Sequence, residues 1–380
     1  DGKTPSLYKS CEATDENTVV INLTKPSSSF LGALALSNFT FASPKALTEF
    51  GADKGSVDEE TGFKPTGTYG TEHPTGTGPF KFESWTRGDR LVMVRNDDYW
   101  GDKAKIEKLI FRPIADNAAR LQALQSGEIQ GYDLVEPQDI GTIEGDSALQ
   151  ILDRPAFNVG YVTINQKVPP FDKLEVRQAV AAGLDRESVV KNFYAGRGDV
   201  ATQFMPPSLF GYADDVMKYN YDPAKAKSLL QKAGVKTPLK VDFWYPTDVS
   251  RPYMPDPKRN FEAFAASLNK SGFKVVPHSA PWSPDYLGNA DEGNYMIRLL
   301  GWTGDYGDAD NFIGTFFQTP QKAWGTTTTP LTKIQDLLNQ GEEEVDEAKR
   351  ETIYQDANRE IMTELPGVPY AHSEPALAFS

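Results

Sequence analysis

The chain has 380 residues, and 39% of them are hydrophobic, so it can bury a sizeable core and is expected to form more than one lobe. It carries 39 Lys and Arg against 53 Asp and Glu, a formal charge of −14. No window concentrates the basic residues into a stripe, which disfavours binding to nucleic acid or to an anionic membrane surface. Cys11 is the only cysteine, which excludes a disulfide framework or a Cys-based zinc site within these residues.

Short runs rich in Val, Ile and aromatic residues predict strands along the whole chain. In chain order they cover residues 19–24, 90–95, 108–112, 157–164, 239–245, 273–276, 295–302 and 368–372. The Gly- and Thr-rich stretch 51–79 interrupts this pattern and is interpreted as a lobe boundary or an exposed loop. Pro79 removes an amide donor that a phosphate-binding loop would use, so residues 75–80 predict a tight turn before a strand.

Helices are predicted between the strands, each with an ordinary capping residue. Asp116, Asp185 and the pair Asp222-Pro223 precede three of them, and apolar stripes at helical spacing mark residues 176–184, 260–272 and 346–365. These stripes are typical of helix faces that pack on a core. Because strands and helices alternate, the predicted fold class is α/β.

Little in the sequence favours catalysis. His73, His278 and His372 are isolated from one another, and there is no GxSxG nucleophile motif. The aspartates in residues 301–312 do not fit an EF-hand loop. A loop that began at Asp305 would have Gly307 at its third position, and one that began at Asp308 would have Phe312 at its fifth. We therefore predict no catalytic residue, no metal site and no cofactor.

The stretch GWTGDYGDADNF at residues 301–312 follows a run that predicts a buried strand. The end of such a strand is the usual ligand position in an open α/β sheet. Asp305 could pair with a ligand ammonium, with Trp302 as an apolar wall or a cation–π face. Alternatively, Asp305 caps a helix that begins near Asn311, or pairs with Arg298.

Several stretches together resemble the extracytoplasmic solute-binding proteins of ABC transporters, in the family that includes dipeptide- and oligopeptide-binding proteins. They are GTGPFKFESWTRGDRLVMVRNDDYW at 76–100, IEKLIFRPIADNAARLQALQSGEI at 106–129, VTINQKVPPFDKLEVRQAVAAGLDRESVV at 162–190, YDPAKAKSLLQKAG, GWTGDYGDADNF and LPGVPYAHSEP. The phrase SRPYMPDPKRNFEAF at 250–264 resembles the actinobacterial branch.

The resemblance implies a two-lobed clamshell with an extra domain, present here as a fragment that lacks an N-terminal segment and a C-terminal tail. Residues 1–75 would be the remaining part of the extra domain, and 76–156 the middle of lobe one. Residues 157–370 would form lobe two, and 371–380 a strand returning to lobe one.

By the same resemblance, the backbone of Gly301, Trp302 and Thr303 pairs with an extended peptide, and Asp305 receives its α-ammonium. Tyr306 and Tyr161 would line the pocket, while Asp308 and Asp310 shape the turn and cap the next helix. Leu299 stands where one relative has a basic residue, so the group that would hold the peptide carboxylate is not identified.

The function implied is that of a secreted or lipid-anchored monomer outside the cell membrane that captures a short peptide and delivers it to an ABC permease. Two alternatives remain open. One is the same scaffold with a non-peptide ligand, such as an oligosaccharide or a metal chelate. The other, from a different class, is a peptide hydrolase or a chaperone-like peptide holder.

Overall fold

The computed structural model describes residues 7–58 and 62–380. The described helices are α1 Phe30–Leu34, α2 Pro44–Glu49, α3 Tyr69–Glu72, α4 Asn117–Gln125, α5 Ile140–Glu144, α6 Leu174–Gly183, α7 Arg186–Phe193, α8 Pro223–Lys232, α9 Pro257–Lys270, α10 Leu287–Asp291, α11 Ile313–Phe317, α12 Thr332–Glu343 and α13 Glu347–Glu364. The described strands are β1 Tyr8–Asp15, β2 Thr18–Leu23, β3 Gly55–Asp58, β4 Gly62–Pro65, β5 Phe80–Thr86, β6 Arg90–Arg95, β7 Lys108–Phe111, β8 Gly131–Asp133, β9 Gln150–Asp153, β10 Asn158–Ile164, β11 Gly198–Asp199, β12 Leu239–Pro246, β13 Phe273–Ala280, β14 Ile297–Thr303, β15 Gly367–Ser373 and β16 Ala376–Phe379.

The predicted strands are all present, and β6 has the predicted ends. Strand β13 continues beyond the predicted residue 276 to Ala280 because it pairs with β12 along its whole length. The stretch 51–79 is not a plain loop, since it contains the hairpin β3–β4 and helix α3. Backbone pairing forms these two strands although they contain a single aliphatic residue, Val57, and strand prediction relies on such residues.

The chain divides into two compact units. Unit 1 comprises residues 1–24 and 34–120, and unit 2 comprises residues 25–33 and 121–380. Within unit 1, β1 pairs with β2, β3 with β4, and β5, β6 and β7 form an antiparallel sheet. The division into residues 1–75, 76–156, 157–370 and 371–380 is a different one and stays a prediction.

Unit 2 contains a six-stranded sheet with the order β11-β15-β10-β14-β12-β13 and a three-stranded sheet with the order β8-β16-β9. Every residue of β10 and of β15 is buried, whichever face it points to. Both faces of the large sheet are therefore covered at its centre, as in other α/β folds. Asp222 and Asp256 cap α8 and α9, each with a proline at the start of the helix.

Two chain segments connect the sheets of unit 2, one between β9 and β10 and the other between β15 and β16. Asn158, the first residue of β10, links the two where they meet the large sheet. Its Nδ2 donates to the carbonyl of Ser373, the last residue of β15, at 2.9 Å, and its Oδ1 accepts from the Ser373 amide at 3.1 Å. The neighbouring His372 is 4% exposed. None of the described helices is both long and apolar enough to cross a membrane.

Candidate functional site

Strands β12, β13 and β14 of the large sheet end on the same side of it. Strand β12 runs parallel to β13 and to β14, so the carboxyl ends of all three point the same way. Asp248 and Arg251 follow β12, Trp282 follows β13 and Asp305 follows β14. Loops at the carboxyl ends of parallel strands are where α/β sheets most often meet a ligand.

The final part of β14 has an unpaired side. Strand β14 pairs with β10 as far as Thr303. Among the described residues, its pairing with β12 involves Ile297 and Arg298 and goes no further. Tyr286, from the β12 side, donates its hydroxyl to the carbonyl of Leu299, so odd-numbered residues of β14 direct their backbone groups away from β10. The backbone groups of Gly301, which is buried, and of Thr303, which is exposed, therefore point away from β10, on the side where an added strand would pair.

Glycine at position 301 is required by close packing. A Cβ atom there would lie 2.2 Å from Cδ2 of Tyr253, and one on Gly160 would lie 2.8 Å from the Tyr253 carbonyl. That carbonyl accepts hydrogen bonds from the hydroxyls of Tyr194 at 2.8 Å and Tyr370 at 3.2 Å. The two facing glycines thus create the space in which the loop after β12 is held.

Asn311 holds both Trp302 and Asp305, a role that the sequence did not predict. Its Oδ1 accepts from the Asp305 backbone amide at 2.6 Å and from Trp302 Nε1 at 3.4 Å, and its Nδ2 donates to Asp305 Oδ2 at 3.3 Å. The Trp302 ring packs edge-on against Phe316. Asp305 is exposed and forms no ion pair among the described residues, so its charge is available to a ligand.

The two alternative roles of Asp305 belong to other residues. Arg298 is 2% exposed and donates to the carbonyl of Ala323 at 3.0 Å. Asp308 accepts from the amide of Asp310 at 2.9 Å and thereby caps the short 3-10 helix Ala309–Asn311, as the sequence predicts for the turn. Asp305 therefore neither pairs with Arg298 nor caps this helix.

Tyr306 and Asp310 form a half-buried pair beside Asp305. The Tyr306 hydroxyl donates to Asp310 Oδ2 at 3.2 Å. Burial raises the pKa of Asp310, and the negative charge of Asp308 raises it further. Burial likewise raises the pKa of the Tyr306 phenol. Tyr306 is thus a neutral, anchored ring next to an exposed carboxylate.

Tyr161 lies in the core instead of at the exposed edge. Its side chain is 3% exposed and its ring packs against Phe204, Phe316 and Trp324 at centroid distances of 5.6, 5.2 and 5.2 Å. Because Phe316 also contacts Trp302, Tyr161 supports the site from beneath. A direct contact with ligand stays a prediction.

Arg251 is a second residue that sequence reasoning missed. Its guanidinium lies 4.6 Å from the centroid of the Trp282 ring, and the Trp282 amide donates to Asp248 at 2.6 Å. The Arg251 Nε is buried and has no hydrogen-bond partner within the described part of the chain, where no carboxylate forms an ion pair with it either. Arg251 also lines a cavity between the two sheets of unit 2, together with Tyr194, Pro252, Leu134, Val135, Ser373 and Pro375.

Comparison with known proteins identifies the family. Residues 2–324 match the family model described as bacterial extracellular solute-binding proteins, family 5 middle. The chain belongs to this family. Because the match covers most of the 380 residues, the family expectation drawn from the sequence motifs is confirmed.

Individual members of family 5 are similar over nearly the whole chain. The dipeptide-binding protein of Escherichia coli is 33% identical over 374 residues, 97% of this chain and 67% of the relative. Heme-binding protein A of Haemophilus influenzae is 30% identical over 98% of this chain and 66% of the relative. The chain thus spans about two thirds of the length of these curated relatives, whose names describe binding proteins and not enzymes.

Solved structures of family members share the fold. The periplasmic binding protein DppA from Helicobacter pylori, in complex with the peptide STSA, matches with a TM-score of 0.82 and 25% identity, over 98% of this chain and 70% of that one. HbpA2 from Haemophilus parasuis matches with a TM-score of 0.78 and 30% identity, over all of this chain and 72% of that one. The predicted α/β periplasmic-binding-protein fold is confirmed.

Proposed function

We propose that this chain is the ligand-capturing part of an extracytoplasmic receptor that binds a short peptide and delivers it to an ABC permease. The observation that carries the proposal is the side of β14 that faces away from β10, where the backbone groups of the buried Gly301 and the exposed Thr303 lie immediately before the exposed Asp305. An extended peptide recognises such an edge by adding a strand. Its α-ammonium would then meet the Asp305 carboxylate.

The arrangement around Asp305 favours a cationic group. Asn311 fixes one carboxylate oxygen at 3.3 Å, so the carboxylate is oriented before a ligand arrives and less ordering is needed on binding. Trp302 lies beside it and offers a flat apolar face to the peptide. A charge-assisted hydrogen bond of this kind contributes about 1.5–3 kcal/mol.

Arg251 supplies the opposite charge at the same edge of the sheet. Its guanidinium is stacked on Trp282 and lacks an acidic partner among the residues described. Arginine binds carboxylates with paired N–H donors. We therefore include Arg251 in the proposed site as the group that receives the C-terminal carboxylate, which the sequence did not identify.

Relatives support a peptide and also offer a second ligand class. The E. coli relative is a dipeptide-binding protein, and the H. pylori structure contains a tetrapeptide. The H. influenzae relative is a heme-binding protein, which is the specific reason to retain a non-peptide ligand as the alternative. A heme would not depend on a free α-ammonium, so the two classes differ in one measurable property.

The test is calorimetric titration of di-, tri- and tetrapeptides, each with a free and with an acetylated N-terminus. We expect free peptides to bind at least tenfold more tightly than acetylated ones, and Asp305→Asn to remove that preference. Asp336→Asn, an exposed carboxylate on α12, is the matched control. Equal affinity for both forms of peptide would overturn the assignment of Asp305. Binding of heme but of no peptide would transfer the function to the alternative class.

A further inference from the structure

The segment Lys25–Ala33 belongs to a different compact unit from the residues on either side of it. Residues 1–24 and 34–120 belong to unit 1, but Lys25–Ala33 packs with unit 2. We call this segment the strap. Lys25 Nζ lies 3.2 Å from a Glu342 carboxylate oxygen and 3.1 Å from one of Glu343. The Ser28 amide donates to the Glu342 carbonyl at 2.9 Å, so the strap is fixed to the end of α12.

The strap also contacts the turn that follows Asp305. The Ser29 side chain is 7% exposed and interacts with the Tyr306 hydroxyl and the Asp310 carboxylate. Gly32 lies against the same ring, because a Cβ atom there would be 3.1 Å from Cδ2 of Tyr306. The strap therefore covers Tyr306, the residue next to the carboxylate proposed to bind the ligand.

The contacts that hold the strap are weak. Helix α1, which begins within it, has no buried residue, and Leu31 is 78% exposed. Lys25 is 42% exposed, and exposed ion pairs contribute about 0–1 kcal/mol each. Neutral hydrogen bonds add about 0.5–1.5 kcal/mol each. Because α1 has no buried residue, we expect docking of the strap to be reversible under native conditions.

We propose that the strap is a latch whose docking on the Tyr306–Asp310 turn is coupled to ligand bound at Asp305. The inference rests on the proposed binding site. Strap and ligand contact neighbouring residues of the same turn, so each stabilises the conformation of the turn that the other one binds. Coupling between two binding events is reciprocal. A bound ligand thus stabilises the docked strap, and the docked strap slows ligand release.

Hydrogen–deuterium exchange and stopped-flow kinetics test the latch, with the tetrapeptide Ser-Thr-Ser-Ala and an Ala-Ala dipeptide as probes. We expect saturating peptide to slow exchange of the strap amides, Ser28 included, at least fivefold. The double variant Lys25→Ala/Ser29→Ala should release peptide at least fivefold faster, with its thermal unfolding midpoint nearly unchanged because these contacts are weak. Lys333→Ala, which removes an exposed ion pair with Glu360, is the control and should release peptide at the wild-type rate.

The outcomes separate the latch from the binding site. Calorimetric binding of a peptide with no added protection of the strap, or with unchanged release from the double variant, would overturn the latch and leave the proposed function standing. Failure of the wild-type protein to bind either probe or any peptide of the calorimetric panel would overturn both. Protection of the strap together with faster release would support the latch.

Discussion

Asp308 and Arg350 form a two-pronged ion pair, with Oδ2 2.8 Å from Nη1 and Oδ1 2.8 Å from Nη2. The side chains are 14% and 9% exposed, respectively. The same Asp308 carboxylate accepts the amide of Asp310. One pair of residues thus fixes the turn after Asp305 to α13, and the position of the site depends on a contact between residues 42 positions apart.

Removing one partner of this pair should be costly. Arg350→Met leaves a mostly buried carboxylate without its partner, and we expect the free energy of unfolding to fall by about 3 kcal/mol. Urea unfolding followed by tryptophan fluorescence measures the loss. Lys333→Met, which breaks the exposed pair with Glu360, is the matched control and should cost less than about 1 kcal/mol. Equal losses in the two variants would contradict a special role for Asp308 and Arg350.

Gly301→Ala should disturb the site through packing. The new Cβ would overlap the Tyr253 ring at 2.2 Å, and such overpacking typically costs about 1–3 kcal/mol. Because Tyr253 is in the same loop as Arg251, we also expect weaker binding of peptides by calorimetry. Gly288→Ala is the control, since no atom lies within 4 Å of a Cβ there. If Gly301→Ala matched Gly288→Ala in stability and affinity, the close packing would not matter.

Sequence reasoning succeeded where the signal is local. The apolar run before Gly301 predicted β14, and the capping pattern of Asp222-Pro223 predicted α8. It missed Asn311 and Arg251 because their roles depend on contacts that local pattern does not encode. Arg251 meets Trp282 only after β12 and β13 have paired in parallel.

Tyr161 shows a limit of sequence reasoning. The family resemblance predicts that it lines the ligand pocket, which stays a prediction, and the structure places its ring among Phe204, Phe316 and Trp324. Alternation along a strand specifies which side chains share a face and not what covers that face. That depends on Phe316 and Trp324, which lie more than 150 residues later in the chain.

The assignment of Arg251 predicts a preference for peptides with a free C-terminus. We expect the wild-type protein to bind Ser-Thr-Ser-Ala at least tenfold more tightly than its C-terminal amide, because the amide removes the charge that the guanidinium would pair with. Arg251→Met should bind both forms with similar affinity. Arg359→Met, which removes an arginine paired with Asp215 and Asp356, should keep the wild-type preference. A preference that persists in Arg251→Met would assign the carboxylate to another residue.

His372 makes the stability of unit 2 sensitive to acid. Its Nδ1 lies 2.7 Å from the Asn158 carbonyl, which can only accept, so Nδ1 carries the proton. Nε2 is buried and has no hydrogen-bond partner in the described part of the chain. Burial lowers the pKa of His372 from 6.5 to about 4. The folded protein therefore resists a proton that the unfolded chain accepts at about pH 6.5.

The sign of the effect follows from this difference. The stabilising contribution of neutral His372 is fully present above pH 6.5 and is lost as the pH falls through about 4. The difference between a pKa of 6.5 in the unfolded chain and about 4 in the folded protein corresponds to about 3 kcal/mol. We expect His372→Gln, which cannot titrate, to lose less stability than the wild type over this range in urea unfolding at pH 4–7. Carboxylates elsewhere titrate in both proteins, so the difference between the two curves isolates His372, and parallel curves would contradict the prediction.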